Sequence, residues 1–155
     1  MKSLKRTAVA LMILAAAGTA RAQDAGVHVR AARVLATNPE TLAAFYEKSF
    51  GMSETRRAAN SATFKEIVIN SGVTTEAAQK APGATIVITT RPADSPASSN
   101  ASLPALILQV TDIQKTIDAV KANGGTLTRG PAKSGADLTY AFVKDPDGNL
   151  VELVM

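Results

Sequence analysis

The sequence predicts an α+β protein built from two βαβββ modules packed together. Three observations predict it. The chain repeats at an offset of 74 residues, which pairs Asn38 with Asp112, Ala43 with Ile117, Tyr46 with Val120 and Gly51 with Gly125. Each half runs apolar strand, amphipathic helix, then three strand-like runs. The last fifteen residues form two apolar runs around Asp145-Pro146-Asp147-Gly148, a hairpin signal. One βαβββ unit cannot bury both faces of its sheet, so two must join.

Each element has a local reason. Val27–Ala36 is an apolar run expected as the first strand. Asn38 then offers an N-cap and Pro39 sits at the first helical position, where its missing N–H costs nothing. Leu42, Ala43, Phe45, Tyr46 and Phe50 make an apolar stripe, and Gly51 ends the helix. Strands are expected around 52–57, 63–70 and 84–91, with 71–83 as a loop. In the second half, 103–110 is a strand and Asp112 caps a helix carrying Ile113, Ile117 and Val120. Gly124-Gly125 stops that helix, and strands follow around 126–129, 138–144 and 149–154. Module 1 thus spans about 27–91 and module 2 about 103–155. Residues 92–102, rich in Pro, Ser and Ala, read as a linker that could also serve as a lid.

The segment 1–22 is expected to be a signal peptide. Lys2, Lys5 and Arg6 precede the apolar run Ala8–Ala17, and Ala20-Arg21-Ala22 places small residues for cleavage before Gln23. The apolar run is too short to span a bilayer. The expected location is periplasmic or secreted, with no membrane association once the segment is cut. The chain holds 17 Lys+Arg and 13 Asp+Glu; without the four basic residues of 1–22, the charges balance. The alkaline pI therefore carries no message about nucleic acid, and no basic run or aromatic platform supports such a partner. There is no Cys, so neither a disulfide nor a thiolate nucleophile is available.

The hairpin, with Glu152 as the one acid in an apolar strand, closely resembles the C-terminal hairpin of the vicinal oxygen chelate superfamily. This is the group of glyoxalase I, bleomycin-resistance proteins, fosfomycin-resistance proteins and extradiol dioxygenases. The helix segment Phe45-Tyr46 to Phe50-Gly51-Met52 is similar to that family's first-module pattern, and the resemblance covers 27–155. It implies a paired-sheet, incomplete-barrel fold. It also implies metal ligands on the first and last strand of each module in the metalloenzymes, with Glu152 at one such position. The first-strand positions stand seven residues before the helix caps, at Ala31 and Ala105, and alanine ligates nothing. The fourth strand, 84–90, offers only apolar residues and Thr, and its ligand position cannot be fixed to one residue. One ligand of four does not hold a divalent ion, so no metal and no cofactor are expected, and glyoxalase I activity is not expected.

Strand parity nominates the site. Ala31 shares a face with Val29, Arg33 and Leu35; Ala105 with Ile107 and Gln109; Glu152 with Leu150 and Val154. The polar members are Arg33, Gln109 and Glu152. They are expected either to bind the polar end of a small apolar ligand, or to form a buried Arg33–Glu152 pair with Gln109 satisfying a backbone group. His28, the only histidine, falls on the opposite face. Arg56 and Arg57 suit a solvated edge, Tyr140, Phe142 and Lys144 share a face with Phe142 as a core residue, and Asp145 and Asp147 are turn formers. Three functions remain open. One is an exported, bleomycin-resistance-like protein that binds a small molecule in an inter-module cavity. Another is a lyase or isomerase with Glu152 as general base and Arg33 or Gln109 stabilising an oxyanion. The last is a structural module with a filled cavity. Whether the modules pair within one chain or swap between two is also open, so a homodimer is an alternative.

Overall fold

The computed structural model describes residues 29–95, 104 and 106–155. The expected signal peptide, His28, Ala105 and residues 96–102 of the linker lie outside them. Module 1 comprises β1 (Ala31–Ala36), α1 (Pro39–Phe50), β2 (Met52–Asn60), β3 (Lys65–Ser71), α2 (Thr75–Lys80) and β4 (Thr85–Thr90). Module 2 comprises β5 (Leu106–Gln109), α3 (Ile113–Ala122), β6 (Thr126–Ser134), β7 (Leu138–Lys144) and β8 (Leu150–Val154). The strands form two four-stranded sheets, ordered β1-β4-β3-β2 and β5-β8-β7-β6. In each, the outer first strand runs parallel to the last strand of its module, and the other pairings are antiparallel. This is the expected α+β architecture of two modules whose sheets do not close.

The helix signals act as expected. The Asn38 side chain accepts from the backbone N–H of Glu40 and Thr41, and the Asp112 side chain from Lys115. Gly51 closes α1 at φ 63°, a left-handed conformation that a side chain would oppose. One element differs. The segment expected as a loop at 71–83 contains α2, capped by the Thr74 side chain on Ala77 N–H. Its six residues are too few to show a helical period. It is held by tertiary contacts instead: Ala78 is fully buried, and Asn70 donates to the carbonyls of Ala78 and Ala81.

Strands β2 and β6 run on past their expected ends. Their later residues, 58–60 and 130–134, carry no large apolar side chain, so apolar pattern does not mark them, and both strands carry bulges that break alternation.

One core serves both modules. Val34, Leu42, Tyr46, Ile67 and Ile88 of the first pack in a single cluster with Ile117, Val120, Val143, Val151 and Leu153 of the second. The C-terminal turn clips the modules together. Tyr46 Oη donates to Asp145 Oδ2 at 3.2 Å, Thr37 N–H to Asp147 Oδ1 at 2.9 Å, and Asn149 Nδ2 to the Leu35 carbonyl at 3.2 Å. Asp145 is 4 % exposed. Its carboxylate also accepts from the backbone of Asp147 and Asn149 and from Asn149 Nδ2. The turn former of the sequence is therefore also a junction between the two modules.

Candidate functional site

The β1–β4 and β5–β8 registers give the two modules a common frame. Arg33 pairs with Val87, and Ile107 pairs with Glu152. Arg33 and Ile107 are equivalent at the offset of 74, so Val87 is the counterpart of Glu152. The rows then continue across each sheet. In module 1 the row reads Arg33, Val87, Val68, Arg56; in module 2 it reads Ile107, Glu152, Phe142, Arg129. This register locates the fourth-strand position that sequence alone leaves open.

Donor chemistry follows from these positions. Ala31 and Val87 stand in the first sheet and neither can donate to a metal. In the second sheet Glu152 is a donor, while residue 105 is alanine. No group of three or more His, Cys, Asp or Glu that could hold an ion occurs among the described residues. The side chains present do not fit a catalytic divalent metal.

The two faces have different character. On the first sheet Val68 and Val87 are buried at 2 % and 8 % exposure, and Thr89 at 1 %. The Thr89 hydroxyl has no hydrogen-bond partner among the described residues, an arrangement that typically costs about 1–3 kcal/mol. On the second sheet Glu152 and Phe142 are half-buried, and Ile107 is 60 % exposed. The connections explain part of the difference. β3 and β4 are joined through α2, which packs against Asn70, whereas β7 and β8 are joined by the tight turn at Asp145–Asn149.

Each expected site residue can now be placed. Arg33 does not pair with Glu152. It stands on the other sheet, its side chain is 61 % exposed, and its guanidinium lies 3.5 Å from Glu66. The expected buried pair fails because register sets Val87, not an acid, beside Arg33. Glu152 has no ion pair among the described residues. Gln109 pairs with Val154 on the Glu152 face and is exposed. It also lines a groove of about 430 Å³ with Lys48, Phe50 and Lys115. Tyr140, Phe142 and Lys144 do share a face, but it is the open face, not the core. Tyr140 and Phe142 meet edge to face with centroids 5.7 Å apart. Arg56 pairs with Val68 on an exposed edge, and Arg57 is bound to Glu40 and Glu54 at 2.6 and 2.8 Å. Hydrogen bonds from Arg57 and then Lys65 lower the Glu40 carboxyl to about 2.

Arg129 is the residue that sequence reasoning misses. Regular alternation from Leu127 would turn it toward the core. A bulge between Leu127 and Arg129 resets the parity and places it opposite Phe142, with its guanidinium 5.9 Å above the Tyr140 ring. The available signal is Gly130-Pro131, a pair that commonly marks irregular strand. A Cβ on Gly130 would meet the Tyr140 carbonyl at 2.7 Å, so the backbone approaches closely there.

The match to known families agrees with this architecture. The family model of the Glyoxalase/Bleomycin resistance protein/Dioxygenase superfamily matches residues 19–153. The chain belongs to this superfamily. Among its relatives within the superfamily, a probable lactoylglutathione lyase of Vibrio parahaemolyticus is 51% identical over 51 residues, 32% of this chain and 36% of that protein. The lactoylglutathione lyase of Haemophilus influenzae is 45% identical over 51 residues, 32% and 37% of the two chains. The matched part spans about a third of these relatives' length. Glyoxalase I from Zea mays superposes with a TM-score of 0.61 at 23% identity, over 79% of this chain and 43% of that one. TnmS3, an antibiotic binding protein from Streptomyces sp. CB03234, superposes at 0.59 with 21% identity, over 82% and 93%. At these identities the likeness is one of fold.

Proposed function

We propose that this superfamily member is exported and binds a small, mostly apolar molecule on the open face of its second sheet, without a catalytic metal. The observation that carries the reading is Glu152. It is a half-buried carboxylate with no ion pair among the described residues, set between the apolar Ile107 and the aromatic Phe142 on a face that also carries Tyr140, Val154, Gln109, Lys144 and Arg129. A carboxylate left so needs solvent or a ligand. Gln109 borders the same face. Arg33 lies on the other sheet, so it joins the same ligand only when a second copy lays its first sheet over this one; that is the homodimer the reading includes. The likeness in fold to TnmS3, an antibiotic binding protein, adds support for a binding role.

Native mass spectrometry of protein recovered from a periplasmic fraction tests the reading in one measurement. A chain starting at Gln23, a retained small molecule and sub-stoichiometric zinc, nickel, iron and manganese are expected. An uncleaved cytoplasmic chain would refute export. One tightly held ion per chain that vanishes in Glu152→Ala would refute the metal-free site. Binding of the neutral dye Nile red, weakened in Phe142→Ala, is the expected signature of the face itself.

The relatives' names favour a second reading, a lyase with Glu152 as general base and Gln109 or Arg33 steadying an oxyanion. Its test is isomerisation of the methylglyoxal–glutathione hemithioacetal with nickel or zinc added. No turnover is expected, because Ala31 and Val87 supply no donor.

A further inference from the structure

We infer that the ligand of the second sheet's open face is zwitterionic, with its cationic end at Glu152, its anionic end at Arg129 and an apolar middle on Phe142 and Tyr140. The inference rests on the binding face proposed above and specifies the chemistry it accepts. Four side chains cross the sheet in one row: Ile107, Glu152, Phe142, Arg129. The row therefore reads apolar, acid, aromatic, base. Strand spacing puts the Cα atoms of Glu152 and Arg129 about 10 Å apart. An aromatic ring separates them, so the acid and the base do not neutralise each other; neither has an ion pair among the described residues.

Each charge is also presented. Arg129 is exposed, and its guanidinium stands 5.9 Å from the centroid of the Tyr140 ring. The ring fixes the guanidinium over the face while leaving its N–H donors for an anion. Lys144 lies on this face opposite Leu150 and makes no ion pair with Glu152. Between the two charges stands Phe142, which meets Tyr140 edge to face; Val154 lies opposite Tyr140, and Ile107 lies on the far side of Glu152. A ligand charged at one end only would leave one of the two groups without a partner. A neutral ligand would leave both.

The first sheet shows that the pattern is particular to this face. Its equivalent row is Arg33, Val87, Val68, Arg56, with bases at both ends and no acid. The repeat supplies the frame, and substitution of acid and aromatic within it makes one face amphoteric.

An extended tripeptide with free termini spans about 10 Å and carries both charges, so Ala-Phe-Ala serves as the probe. Its binding to the full mature chain is measured by calorimetry beside its N-acetylated, C-amidated and doubly blocked forms. Blocking either end is expected to weaken binding about tenfold. The acetylation effect is expected to vanish in Glu152→Gln, and the amidation effect in Arg129→Gln. Thermal melting verifies that both variants fold. Equal binding of all four peptides, or end-group effects that persist in both variants, would overturn the inference. If Nile red binds while no peptide does, the amphoteric assignment fails and the apolar binding face stands. If neither binds, both fail.

Discussion

At the residue scale, Glu152 and Asp145 are two acids of one hairpin with opposite surroundings. Glu152 makes no ion pair among the described residues, so Glu152→Gln should remove little stability. The expected melting temperature lies within a few degrees of the wild type, while ligand binding falls. A loss of roughly 3–5 kcal/mol on thermal melting would instead mean a buried pair that the register does not show. Asp145 is the structural acid. It accepts from Tyr46, Asn149 and two backbone N–H groups, and Asp145→Ala should cost about 2–3 kcal/mol by denaturant unfolding.

Burial raises the Asp145 carboxyl above its ordinary value, opposed by the hydrogen bonds from Asn149 and Tyr46. The folded state therefore holds this proton to higher pH than the unfolded chain does. The stability this proton contributes is fully present below the unfolded aspartate value and is lost as pH rises through the raised one. Asp145→Asn cannot titrate, so the stability gap between wild type and variant should shift against the wild type over that window. Parallel denaturant titrations at several pH values measure it. A flat gap would show that the folded carboxyl titrates where the unfolded one does.

At the element scale, caps and packing set the boundaries. Removing either N-cap side chain, as in Asn38→Ala or Asp112→Ala, should cost about 1 kcal/mol each by thermal melting. Gly125 is a harsher position. A Cβ there would sit 2.6 Å from Val120 Cγ1, 2.8 Å from the Lys144 carbonyl and 3.0 Å from Phe45 Cε2. The two nearest of these atoms lie in module 2, on α3 and β7, and Phe45 lies on α1, so the added atom would press on both modules. Gly125→Ala should destabilise by about 1–3 kcal/mol through overpacking, and a neutral result would mean that Val120 and the Lys144 backbone give way at no cost. The bulge in β6 acts at the same scale. It adds a residue to one strand and thereby moves Arg129 from the face that alternation predicts to the face that carries Phe142.

At the scale of the whole molecule, the two modules are not independent. Tyr46 is fully buried and reaches across to Asp145, and α1 and α3 contribute to one apolar cluster. Separate expression of 23–95 or of 103–155 should therefore give a chain without cooperative unfolding, read by circular dichroism. A sharp transition in either piece alone would show that each sheet carries its own core. In the intact chain Ile117→Ala, at a fully buried site, should cost about 2–5 kcal/mol.

The sequence by itself determined the module order, the helix caps, the closing turn and the missing donors. All of these depend on residues near one another in the chain, through helical period, turn chemistry and the identity of a side chain at a counted position. It also singled out Glu152, because one acid in an apolar strand stands out. Only the tertiary structure decided which side chains share a row. It gave Arg33 to Glu66, gave Glu152 the neighbours Ile107 and Phe142, made Val87 the counterpart of Glu152, and brought Arg129 onto the open face. It also held α2 in place, a helix too short to specify itself. The reason is that strand register and bulges are settled by pairing between distant segments, and a one-residue shift exchanges the two faces of a strand without changing a letter of the sequence.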